Sequence, residues 1–333
     1  MQIHKITELI DNRNANLAVL LCHMNADPDA VCATFAMAQL LRRTRPKLTI
    51  EIAAAQGPSR LSKHLLGSLP AKLTMQPHIE EADVIVLLDT NTVEQLGEWS
   101  NRVKASKAAL VVIDHHASHP QTENLATLSV ADETASSACE IVYRLYKEAQ
   151  VDLTPVEAKA IFLGIAFDTR HFVLASSTTF KVVADLIDAG VKAEETLSLL
   201  SLPMDPSERV ARLKASKRVK LIKVKDWIIA FSSVSAFQAS AARGLISLGA
   251  SVAIVAGEKG EKGEKIQISM RATQDFHKKT GVHLGRDIAK PLGEYLRGMG
   301  GGHAVSAGVN GSGEVETSLK RCARLLKEKL TEP

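Results

Sequence analysis

Carboxylate and imidazole side chains recur at four places in the chain, each next to an apolar segment: His23-x-x-x-Asp27-x-Asp29, Asp89, Asp114-His115-His116 and Asp168. Carboxylate oxygen and imidazole nitrogen are donors for hard and borderline divalent cations. With no thiolate among them, the set suits Mn²⁺ first, with Mg²⁺, Co²⁺ or Zn²⁺ also compatible. Singly, the residues have ordinary uses: Asp27 or Asp29 as a helix N-cap, Asp89 before Thr90 and Asn91 as a turn former, the paired histidines as solvated loop residues. Gathered together they do not, because several like charges at one place repel unless a cation neutralises them. That many donors exceed what one ion accommodates. Two ions bridged by a shared carboxylate are therefore expected, an arrangement suited to phosphoryl chemistry, with Asp27 and Asp29 each facing a different ion.

The elements that must position these residues follow from the hydrophobic pattern. Residues 17–22 (LAVLLC), 48–54 (LTIEIAA), 83–88 (DVIVLL) and 109–113 (ALVVI) are short, nearly continuous apolar runs, the mark of strands buried on both faces. Helical patterns lie between and after them, at 30–42, around 61–66, and at about 136–149, 155–166 and 178–189. The alternation predicts an α/β fold whose parallel sheet carries helices on both faces. In such sheets ligands gather at the carboxyl ends of strands, and three of the runs end in the residues named above.

Ala189-Gly190 reads as a helix stop, placing a catalytic domain at 1–190, a helical linker at 191–218 and a smaller α/β domain at 219–333. That second domain is expected from strand-like KLIKVKDWIIAFSSV, a helix ASAARGLISLGA, strands SVAIVAG and KIQISMRAT, a helix at about 282–295, and a final amphipathic helix. The charged segment EKGEKGEK reads as an exposed hairpin tip.

Composition narrows the class. With 333 residues and 45% hydrophobic content, the chain can bury cores in two domains. No apolar stretch approaches the roughly 18 to 20 residues that span a bilayer, and MQIHKITELIDNRN reads as an amphipathic helix rather than a secretion signal. A cytoplasmic protein with no membrane partner is expected. Cys22, Cys32, Cys139 and Cys322 form no C-x-x-C pair and read as small buried residues. Residues 1–190 carry 17 Lys and Arg against 22 Asp and Glu, whereas residues 191–333 carry 24 against 15. An acidic part that gathers metal beside a basic part that gathers polyanions suits work on phosphates.

The ordered motifs HMNADPDA, LLDT, DHH and GIAFDT resemble those of the DHH phosphoesterases, and SMRAT, GRDIAKPLGEYL and GMGGGHAVSAG resemble the DHH-associated domain. The resemblance implies that His23, Asp27 and Asp89 hold one ion, and that Asp29, Asp89, His115 and Asp168 hold the other. Asp114 would then orient a ligand histidine, and His116 would face the substrate, bonding the scissile phosphate or protonating the leaving oxygen. In the second domain the resemblance implies that Arg271 grips phosphate. Gly300, Gly301 and Gly302 would let backbone N–H groups approach an anion, and His303 would contact phosphate or base. Two departures stand out: Arg170-His171 follows Asp168-Thr169 where many relatives have glycine, and Ala272 follows Arg271 where serine is common.

The expected activity is Mn²⁺-dependent hydrolysis of short single-stranded RNA or DNA to mononucleotides, with nucleotide phosphatase and cyclic dinucleotide phosphodiesterase activities as close alternatives. Aromatic residues make up only 4% of the chain, too few for an extended base-stacking platform. The basic run at 212–225 reads either as a backbone-tracking surface or as a solvated linker helix. Apolar edge strands and the resemblance suggest a homodimer. A reading of another class is a nuclease-like subunit or nucleotide sensor that acts through a DNA repair or replication partner.

Overall fold

The computed structural model describes residues 1–259 and 265–331. Most of the segment expected as a hairpin tip therefore lies outside the described residues. The chain divides into two units, Met1–Leu202 and Pro203–Pro333. Residues expected as a linker are shared between them: helix Ala193–Ser198 falls in the first and helix Pro206–Lys217 in the second.

In the first unit, β1 (Leu17–Cys22), β2 (Thr49–Ala54), β3 (Val84–Leu88), β4 (Ala109–Asp114) and β5 (Leu128–Ala131) form a parallel sheet in the order β2-β1-β3-β4-β5. Side chains alternate across it. Ala18, Leu20 and Cys22 enter the core on one face, and Val19 and Leu21 enter the core on the other. Each fully buried aliphatic side chain contributes about 1.5–3 kcal/mol relative to exposure, so polar residues are kept out of the strands and appear where they stop. β5 was not legible in the sequence, because only Val130 of its four residues is buried.

From β1 the chain moves outward to β2, then returns across β1 to β3 and β4 on its other side. The crevice at the carboxyl ends of β1 and β3 is thus a topological switch point, where loops diverge and leave room for a ligand. Helix Pro28–Thr44 follows β1 directly and is buried almost throughout. It packs on helix Pro155–Asp168, whose first turn is closed by reciprocal bonds between Thr154 and Glu157.

The second unit is a mixed sheet of β6 (Lys220–Val224), β7 (Trp227–Ser233), β8 (Val252–Lys259), β9 (Lys265–Ala272), β10 (Met299–Gly302) and β11 (Ser306–Ser312), ordered β10-β11-β9-β8-β7-β6. Among the described residues only β7 and β8 of this sheet pair in parallel. Among the described residues no helix is long and apolar enough to cross a membrane, and all four cysteines are buried and unpaired.

Candidate metal centre

Past Cys22 the chain turns sharply: Met24 N donates to the Gln95 carbonyl at 2.8 Å, and Asn25 takes a left-handed φ of 53°. His23 Nδ1 then lies 2.9 Å from the Met24 carbonyl. A carbonyl oxygen only accepts, so in the neutral ring Nδ1 carries the proton and Nε2 presents a lone pair. That lone pair faces carboxylates, 3.8 Å from Asp89 Oδ2 and 4.0 Å from Asp27 Oδ2. In the neutral ring this juxtaposition is repulsive unless a cation lies between them, the alternative being a second proton on the ring.

Asp27 serves two purposes at once. As N-cap of helix Pro28–Thr44, it accepts a hydrogen bond from Ala30 N on Oδ1 at 3.1 Å, leaving Oδ2 toward His23. Two residues on, Asp29 is fully buried and accepts from Ala138 N at 2.6 Å and Cys139 N at 3.1 Å. These are first-turn N–H groups of helix Ala138–Glu148, which lack partners within their own helix and lie at the positive end of its dipole. The carboxylate can be this close only because residue 164 is glycine. A Cβ there would lie 2.5 Å from Asp29 Oδ1 and 2.3 Å from Cys139 Sγ.

Asp89, just past β3, is 4% exposed and left-handed at φ 52°. Its Oδ1 is 3.4 Å from His115 Nε2 and 3.5 Å from His116 Nδ1, yet it accepts no hydrogen bond. His115 Nε2 lies 3.1 Å from Asp168 Oδ2 without hydrogen-bond alignment and is also buried and unsatisfied. Asp168 is the final residue of helix Pro155–Asp168, at the negative end of the dipole, where a carboxylate is disfavoured by roughly 0.3–1 kcal/mol. A nearby cation reverses that sign.

Candidate ligand atoms thus fall into three overlapping groups, each within 4.8 Å: His23, Asp27 and Asp89; Asp29, His115 and Asp168; and Asp89, Asp114, His115 and His116. Asp89 belongs to the first and third. Three buried atoms of these groups without partners, Asp89 Oδ1, Asp114 Oδ2 and His115 Nε2, beside a lone pair aimed at carboxylates, fit divalent cations bound here.

Asp114 does something other than expected. It ends β4 almost fully buried, and its Oδ1 accepts from both the backbone N and the Nδ1 of His116, each at 2.8 Å. Of the two histidines it therefore holds the half-exposed one, not His115, because the DHH turn folds residue 116 back over the strand end.

The electrostatics of these side chains among themselves record the crowding. Burial, then the Asp89 charge, pushes the Asp27 carboxyl up to about 6. Burial, with Asp168 and Asp89, pushes Asp29 well above the ordinary range. Burial disfavours the His115 imidazolium, but Asp168 and Asp89 outweigh it and raise its pKa to about 11. A proton and a metal would compete for the same ligand atoms here.

Just after Asp168, Arg170, His171 and Phe172 all take left-handed φ values of 52°, 57° and 68°. Hydrogen bonds from His171 N to the Ala166 carbonyl, Phe172 N to Thr169 Oγ1 and Leu174 N to the Thr169 carbonyl hold this turn, and the Phe172 ring packs edge-on against Phe162.

In the second unit, Arg271 stands opposite Ser306 in the β9–β11 register, and Ala272 N donates to the Val305 carbonyl, so Arg271 and the loop containing His303 share one end of the sheet. The Arg271 guanidinium has no carboxylate partner among the described residues; burial and the nearby Arg243 lower its pKa. Gly300, Gly301 and Gly302, expected to offer backbone N–H groups to an anion, form edge strand β10. A Cβ on Gly300 would lie 1.8 Å from the Ala289 carbonyl oxygen, and one on Gly302 would lie 2.5 Å from that of Ser306, whereas Gly301 faces open space. Close backbone packing against the helical turns at 284–295 explains Gly300, and it is not a property a glycine run announces.

A model of the DHH family, N-terminal domain, matches residues 18–165. The uncharacterized protein MJ0988 of Methanocaldococcus jannaschii is 30% identical over 303 residues, covering 91% of this chain and 89% of that protein. The chain belongs to the DHH family. Its members are phosphoesterases, and this protein is one of these enzymes. The bifunctional oligoribonuclease and PAP phosphatase NrnA of Bacillus subtilis is 28% identical over 200 residues, 58% of this chain and 60% of that one. An exopolyphosphatase-related protein of Bacteroides fragilis shares the fold over 99% of this chain and 98% of its own, with a TM-score of 0.62 at 20% identity.

The sequence reading did not find Gly164 or the N–H groups of Ala138 and Cys139. A signal existed: Ser136-Ser137 before an apolar helix marks an N-terminus, but nothing local says that Asp29 docks on it.

Proposed function

We propose that the protein is a two-metal, Mn²⁺-dependent phosphodiesterase that releases mononucleotides from short single-stranded oligonucleotides. The observation that carries this reading is Asp89, whose two oxygens face His23 on one side and His115 on the other. His23, Asp27 and Asp89 would hold one ion, and Asp29, Asp89, His115 and Asp168 the other. Bound there, the ions would supply Lewis acidity toward a phosphoryl oxygen and an activated water.

The chain's own groups do the rest. Asp114 fixes the His116 ring through Nδ1 and raises its pKa, so that His116 can carry a proton on Nε2 and give it to the leaving oxygen. Arg271 offers a fork of N–H donors to a substrate phosphate, and His303 a further contact to phosphate or base. Similarity to a bifunctional oligoribonuclease and PAP phosphatase supports small nucleotides as a second substrate class.

The test is product analysis with Mn²⁺ on a five-nucleotide RNA, the matching DNA, 3′-phosphoadenosine 5′-phosphate, cyclic di-AMP and pyrophosphate. Mononucleotides released fastest from the oligomers are expected. Phosphate released from the small nucleotide with the oligomers untouched would make the enzyme a phosphatase instead.

A further inference from the structure

In the second unit an open groove of about 600 Å³ runs along helix Pro206–Lys217. Its helical wall is formed by Pro206, Val210, Lys214 and Arg218, four residues apart in turn, and hence one stripe about 18 Å long at 1.5 Å per residue. The facing wall is the turn after β7, ending in Phe237. Lys214 and Arg218 are the only charged side chains lining the groove, and neither pairs with a carboxylate among the described residues. Phe237 is the unusual element. It takes φ 61°, a left-handed conformation that strains a bulky residue, and the residue is 40% exposed. The turn is locked in that state by the Gln238 side chain, which donates to the carbonyls of Val234 and Ser235 at 3.2 and 3.3 Å. A ring held in a strained turn and left on the surface is free to stack on a π-face.

The groove is separate from the Arg271 end of the sheet. Arg271 pairs through Ala253 with Ala230 in the middle of β7, whereas the turn leaves the strand past Ser233, three residues further along, and neither Arg271 nor His303 lines the groove.

We propose that this groove is a second, non-catalytic site for single-stranded nucleic acid, with Phe237 stacking on a base and Lys214 and Arg218 holding phosphates. The inference rests on the oligonucleotide reading of the metal centre, since a second hold matters only for a substrate longer than the catalytic site.

The test uses the full chain in EDTA, which prevents cleavage, and a fluorescein-labelled ten-nucleotide single strand followed by anisotropy. Reversing both charges (Lys214→Glu with Arg218→Glu) should weaken binding at least ten-fold and flatten its salt dependence. Phe237→Gly should weaken it about ten-fold while leaving Tm unchanged or higher, because glycine relieves the left-handed strain. With Mn²⁺, both variants should raise KM for the ten-nucleotide strand and leave turnover of a dinucleotide unaltered. Variants that bind the strand as the wild type does overturn the proposal, and so does a wild type that fails to bind it at low salt. A wild type that binds through the groove but cleaves no oligonucleotide upholds the groove and removes the oligonucleotide reading.

Discussion

Asp114 Oδ1 accepts two hydrogen bonds from one residue, the backbone N and the ring Nδ1 of His116, both at 2.8 Å. Such a clamp fixes the ring's direction and tautomer together. Asp114→Asn should therefore lower kcat about 10²-fold, the scale of a misplaced general acid, while bound metal measured by elemental analysis stays constant. Loss of metal in this variant would place Asp114 among the ligands instead.

Asp89 faces both proposed ion positions. In Asp89→Ala both metal equivalents should fall and turnover should vanish, with the far-ultraviolet circular dichroism unchanged. A folded variant with near-normal turnover would sink the two-metal reading.

The raised carboxyls give a pH signature. Asp27 moves from 3.8 to about 6, so between these values the folded, metal-free chain binds more protons than the unfolded one and loses stability as pH rises. Asp29 acts in the same sense. His115, raised from 6.5 to about 11, stabilises the metal-free fold fully below 6.5 and loses that contribution as pH rises toward 11. All three oppose metal binding while protonated. The rise in Tm on adding Mn²⁺ should accordingly be larger at pH 7.5 than at pH 5.5, and an equal rise at both would contradict this account.

Gly164 is fixed by the approach of Asp29 and Cys139. Gly164→Ala forces one of them to move within a packed core, for an expected loss of about 1–3 kcal/mol in denaturant unfolding and weaker metal retention. Wild-type stability and metal content together would show that the core has slack there.

Arg170 occupies a left-handed position that glycine adopts without strain. Arg170→Gly should stabilise the fold by up to about 1 kcal/mol. If the guanidinium contacts substrate phosphate, KM should rise in the same variant; an unchanged KM would assign Arg170 to filling space.

Much of this was legible from the sequence because its determinants are local. LAVLLC, DVIVLL and ALVVI end where polar groups become affordable, so the placement of His23, Asp89 and Asp114 at strand ends could be read directly. What could not be read depends on contacts distant in sequence. The N–H groups of Ala138 and Cys139 reach Asp29 from more than a hundred positions away, and Gly300 is glycine because of Ala289. β5 carries one buried residue and so no hydrophobic signature. Which histidine Asp114 orients was not legible either, because adjacent residues in a turn have no periodicity to separate them.

Helix Pro155–Asp168 begins at a capped Thr154 and ends on a proposed ligand, with Gly164 seated against another. It behaves as a ruler. Inserting or deleting one residue between Glu157 and Gly164 would rotate Asp168 by about 100° and shift it by about 1.5 Å relative to the capped start. Related chains should thus vary freely in the length of loops such as that between helix Arg60–Leu66 and β3, while keeping this helix the same length to the residue.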